Sequence, residues 1–107
     1  MIKMLVQNMK HSQIDLSGVN DWAGLHECFA RKFEFPDYYG RNMNAWIDCM
    51  EDYALEQDSL VLHIDGMLKL KDTCPEVYEA ICECAAFINH HSRESGGKTF
   101  LALSFSS

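Results

Sequence analysis

No window of the 107-residue chain approaches the ~18 consecutive apolar residues of a membrane-spanning helix, and Met1-Ile2-Lys3 does not open a signal peptide. A cytoplasmic chain with no membrane partner is therefore expected. Basic residues are scarce: nine lysines and arginines stand against sixteen aspartates and glutamates, a net charge of −7. That deficit argues against a phosphate-backbone ligand, so no direct nucleic-acid partner is expected. It leaves solubility or a basic protein partner to explain the acids. Missing too are a phosphate-cradling glycine loop, a Cys-x-x-Cys pair and a His-Glu-x-x-His helix. No cofactor is expected, and catalysis has little support. The five cysteines (Cys28, Cys49, Cys74, Cys82 and Cys84) are odd in number and follow no paired framework, which predicts reduced thiols.

What is present is an ordinary globular mixture, 48% apolar and 23% charged. A chain of this length buries somewhat over ~60% of its unfolded surface, enough for one core, so residues 1–107 are expected to form a single domain. Met1–Gln7 is a short apolar run suited to a first strand, followed by a mixed polar segment to Val19. Asn20 or Asp21 can cap a helix in which Trp22, Leu25, Phe29 and Phe33 recur at helical spacing, with Arg31 and Lys32 in its last turn. A second helix follows Pro36 and runs to about Tyr53, leaving an acidic connector from Glu51 to Asp58. Ser59–Ile64 reads as a strand stopped by Asp65-Gly66, and Met67–Thr73 as a loop or short helical turn. Pro75 suits the first turn of a long helix with the stripe Val77, Ala80, Ile81, Cys84, Phe87 and Ile88. After a polar loop at Ser92–Lys98, Thr99–Phe105 completes the set as a strand. Apolar strands alternating with helices predict an α/β fold, a small parallel sheet packed with helices.

Three constellations invite a chemical reading and resist it. Cys82 and Cys84, with His90 and His91 nearby, suggest a metal site, but on a helix the two cysteines point about 200° apart and cannot meet at one ion. His63 and Asp65 could form a general-base pair, yet no nucleophile or second acid is tied to them by sequence. Trp22 and Trp46 lie on apolar stripes and are expected in the core rather than as stacking platforms.

The stretch Phe35–Met50 is more informative. Pro36 biases Phe35 towards an extended conformation, and Gly40 can take backbone angles closed to other residues. In the helix that follows, Met43, Trp46 and Met50 share one side, while Asp48 points almost opposite, flanked by Asn44 and Glu51 with Ile47 at the edge. Tyr38 and Tyr39 precede it in the loop. The whole forms a compact polar and aromatic surface.

The run Pro-acidic-Tyr-Tyr-Gly-x-Asn-apolar-x-Ala-apolar-x-Asp-Cys-apolar, met by Pro36 through Met50, resembles the barstar family of intracellular ribonuclease inhibitors. The resemblance implies a three-stranded parallel sheet packed with helices. It also implies an immunity-type inhibitor whose loop and helix plug the active site of a cognate basic ribonuclease toxin, one to one. Matched position by position, Asp48 is the acid that occupies the pocket for the scissile phosphate, and Tyr38 is the loop tyrosine that packs on the nuclease. Gly40 and Asn42 shape the loop and helix start. An ungapped alignment of the last helix places a further family acid at Glu83. Two positions depart: Asn44 stands where barstar has an aspartate and Ile47 where it has a tryptophan. One contact charge and one aromatic anchor are therefore absent. The expected partner surface is Tyr38, Tyr39, Gly40, Asn42, Asn44, Ile47, Asp48, Glu51 and Glu83. A barstar-like adaptor bound to a protein other than a nuclease is the alternative.

Overall fold

The computed structural model describes residues 10–94 and 101–106. Strand β1 (Lys10–Asp15) leads into helices α1 (Trp22–Lys32) and α2 (Met43–Glu56), then strand β2 (Leu60–Asp65), helices α3 (Met67–Thr73) and α4 (Pro75–Glu94), and strand β3 (Leu101–Ser106). The three strands form one parallel sheet in the order β1-β2-β3. The α/β class expected from the sequence is the class observed.

The central strand explains the core. Leu60, Leu62 and Ile64 alternate towards one face and are completely buried, which is what period-two placement of apolar residues requires. Leu25 and Phe29 of α1, Trp46, Met50 and Ala54 of α2, and Val77, Ile81, Ala85 and Ile88 of α4 close over that face at helical spacing. Phe29 meets Trp46 edge-on at 5.5 Å between centroids. Asp21 caps α1 by accepting from the Gly24 amide at 2.7 Å, and Arg31 and Lys32 sit in its last turn.

The structure departs from the sequence expectation at β1, α2 and Trp22, and it decides between the two readings of Met67–Thr73. The run Met1–Gln7 lies outside the described residues, and the polar segment after it forms β1. Lys10–Asp15 can be a strand because, among the described residues, it borders only β2, so one buried residue, Ile14, suffices to anchor it. Helix α2 continues through Glu56, absorbing most of the expected connector; Asp58 and Ser59, both at positive φ, then reverse the chain into β2. Met67–Thr73 is a helix, held by buried Met67 and Leu70. Trp22 is 40% exposed and stacks near His26, so only one of the two tryptophans, Trp46, is a core residue.

Candidate functional site

Loop 33–42 and helix α2 form the surface singled out in the sequence. The Tyr39 amide donates to the Pro36 carbonyl at 2.9 Å, closing a turn that throws Tyr38 outward, where it is 88% exposed. The chain then enters α2 through Asn42, whose side-chain oxygen accepts from the Ala45 amide at 2.8 Å and whose amide nitrogen donates to the Gly40 carbonyl at 3.2 Å. Asn42 therefore orders the loop and starts the helix with one side chain. The left-handed residue of this turn is Arg41 at φ 53°, not Gly40. Gly40 instead leaves room: a Cβ there would lie 3.2 Å from the Asn42 amide nitrogen.

Tyr39 corrects the expected surface. It is buried, its ring edge-on against Phe35, and its hydroxyl lies 2.5 Å from Nδ1 of buried His26. It fastens the loop to α1 and leaves Tyr38 as the exposed aromatic of the pair. Burial, helped by the Arg41 charge, pushes the His26 pKa down, and burial pushes the Tyr39 hydroxyl up to about 12. Both groups therefore fold neutral. For His26 the unfolded chain binds more protons near pH 6.5, so stability present above that pH falls as pH drops through the histidine range. For Tyr39 the unfolded chain loses its proton first, so stability also falls as pH rises beyond ~10. Thermal melts should show loss from pH 7 to pH 5 that is smaller in His26→Gln. An equal loss in that variant would contradict the assignment.

Helix α2 turns Asp48 away from Trp46 and Met50 into solvent, on a ridge between two shallow grooves. One groove, about 470 Å³, runs between α2 and the loop; Tyr38, Phe35 and Tyr53 line it with Glu34, Asp48, Asp52 and Glu56. The other, about 540 Å³, runs between α2 and α4 and is lined by Asn44, Ile47, Asp48, Glu83, Cys84 and Phe87. Five carboxylates line the two grooves and no lysine, arginine or histidine does. Two cations, Arg31 of α1 and Arg41 of the loop, lie on the loop's other side, where they pair with Glu27 at 2.9 and 3.4 Å.

Asn44, Ile47 and Asp48 thus share a groove with Glu83, which comes from a helix thirty-five residues further along the chain. Glu51 is committed elsewhere: it accepts from His91 Nδ1 at 2.8 Å, tying α2 to α4 and raising the His91 pKa. Phe87 was expected in the core stripe of α4 but is 53% exposed, because the buried positions run Val77, Ile81, Ala85, Ile88 and leave it one flank away. It places an aromatic ring in the groove of Ile47. Cys49 and Cys84 also border the grooves. Burial, followed by the carboxylates Asp52 and Asp48 for Cys49 and Glu83 for Cys84, pushes both thiols up, which makes them poor nucleophiles at neutral pH.

Residues 9–104 match the family described as Barstar (barnase inhibitor). The chain belongs to the barstar family. A 38-residue stretch is also 45% identical to a protein of Bacillus subtilis (strain 168) named "Putative ribonuclease inhibitor YrdF". That stretch covers 36% of this chain and 42% of the relative, so less than half of the relative's length is matched.

Proposed function

We propose that this barstar-family protein is an inhibitor that occludes the active site of a basic ribonuclease with the ridge and grooves around Asp48. The single observation that carries the reading is that every charged side chain lining the two grooves is acidic, with an exposed aspartate on a rigid helix where they meet. A ribonuclease active site must gather cations around the scissile phosphate. A carboxylate presents two oxygens with similar geometry and negative charge, and it can accept charge-assisted hydrogen bonds from arginine, lysine and histidine. Tyr38 and Phe87, one on each side of Asp48, provide the aromatic surface that such an interface needs around its charged centre. Glu83 adds a second carboxylate across the groove.

The experiment is co-purification with a nuclease encoded beside this gene, followed by RNA cleavage with and without the protein. Cleavage should stop near one equivalent of inhibitor. Stable complexes with a partner that cleaves no RNA would favour an adaptor instead.

The acids also predict kinetics. Association with a basic nuclease should slow markedly between low and physiological salt while dissociation changes less, because screening acts on approach more than on the desolvated contact. Stopped-flow measurement at several salt concentrations checks this. An association rate indifferent to salt would leave solubility as the only role for the charge of −7.

A further inference from the structure

On a helix, residues three and four apart stand on one face. Asn44, Ile47 and Asp48 therefore lead on to Glu51 along α2, and Glu83 and Phe87 lead on to His91 along α4. The two rows face each other across the groove beside Asp48. At the next rung the groove is bridged, where His91 Nδ1 donates to Glu51 Oε2 at 2.8 Å. One edge of the imidazole is thus tied to α2, while its face lies against Phe87. The two rings are 19° from parallel, with centroids 6.0 Å apart. Phe87 is exposed, and among the described residues His91 is the one ring stacked on it.

Resting on the ribonuclease reading above, we propose that His91 is a positioning residue of the inhibitory surface. Through Phe87 and Glu51 it holds the α4 wall of the groove in the shape that grips the nuclease, and it does so most firmly when protonated. A charged imidazole donates a stronger, charge-assisted bond to the Glu51 carboxylate than a neutral one. It also attracts the electron-rich face of the Phe87 ring. A large side chain fixed before contact need not be ordered on binding, and such preorganisation chiefly slows dissociation. The charged groups facing His91 among the described residues are Glu51 from α2 and Glu94 from its own last turn; Glu94 also pairs with His90 at 3.3 Å. Asp48 and Glu83 stand about one and two turns further up the rows. The Glu51 hydrogen bond and charge, with Glu94 behind them, hold the His91 pKa above the ordinary histidine value. The charged bridge is therefore fully present below about pH 6.5 and is lost as pH rises through the folded value.

The test pairs His91→Gln, which keeps a donor for Glu51 but cannot titrate, with His90→Gln as a neighbour outside the bridge. In the free protein, nuclear magnetic resonance follows the His91 Cε1 proton and the Phe87 ring protons between about pH 5.5 and about pH 9. Both should move with one midpoint in the parent, and the Phe87 signals should stop moving in His91→Gln. Dissociation of the ribonuclease complex is then timed over the same range. Groups on the nuclease titrate alike in both complexes and cancel from the ratio of rates. His91→Gln should dissociate up to about fivefold faster than the parent at the acid end, the scale of a partly exposed ion pair, and equally fast at the alkaline end. His90→Gln should follow the parent. A ratio flat with pH, or Phe87 signals indifferent to the His91 titration, would overturn the role of His91 and leave the ribonuclease reading standing. A protein that holds no ribonuclease removes that reading, and this role falls with it.

Discussion

Asp48→Ala is expected to melt within ~0.5 kcal/mol of the parent, as exposed substitutions typically do. It is nonetheless expected to lose ~2–5 kcal/mol of affinity for the target ribonuclease. That range comes from charge truncations measured at interfaces generally, the barnase–barstar complex among them, and not from this structure. It corresponds to a weakening of roughly 30- to 5,000-fold. The asymmetry follows from placement. Asp48 opposes the Trp46 and Met50 side of α2, so the core does not register its loss. In the proposed complex, however, its removal would leave the nuclease's catalytic cations dehydrated and unpaired. Asp48→Asn keeps the shape and loses the charge, and should fail similarly. Asp52→Ala, one turn further on and bordering only the loop-side groove, should cost much less. Titration calorimetry and thermal melts on the three variants check the pattern. An Asp48→Ala protein that melts and binds like the parent would remove the phosphate-mimic role.

Among the described glycines, the largest loss of stability from adding one methyl group is expected at Gly66. This residue turns β2 into α3 at φ 81°, and a Cβ there would lie 2.5 Å from the Ser17 Cα and 2.6 Å from the Ser17 nitrogen. Both obstacles are backbone, so no side chain can swing aside. Left-handed strain of ~1–2 kcal/mol and overpacking of ~1–3 kcal/mol predict that Gly66→Ala costs ~2–5 kcal/mol in a urea melt. Gly18→Ala meets nothing within 4 Å and should stay within ~0.5 kcal/mol. Equal midpoints for the two variants would contradict the close approach of the β1–α1 and β2–α3 turns.

The residues that were legible in sequence are those whose environment is set within one element. The α2 periodicity separates Trp46 and Met50 from Asp48 because 100° per residue is a local property. Asp65-Gly66 marks a turn for the same reason, although the Ser17 backbone that makes Gly66 so sensitive is invisible without the fold. β1 escaped because an edge strand needs little apolar content, and Lys10–Asp15 has one buried residue where β2 has three. Tyr38 and Tyr39 are identical side chains in adjacent positions, and only the His26 ring beneath one of them separates anchor from exposed aromatic. Phe87 lies on one flank of a wide apolar stripe, and only the narrower spacing 77, 81, 85, 88 marks the core side. Sequence proximity pairs His63 with Asp65, two residues along the strand; its hydrogen-bond partner, His11, depends on strand register, which no local signal encodes.

Competition with substrate tests the central claim most directly. The target ribonuclease is titrated with this protein in rising concentrations of a non-cleavable RNA oligonucleotide that fills its active site. Occlusion by the Asp48 ridge predicts that the apparent affinity falls in proportion to the fraction of nuclease holding oligonucleotide, with no ternary complex. Binding to the oligonucleotide-filled nuclease as tightly as to the empty one would place the contact elsewhere and contradict the account.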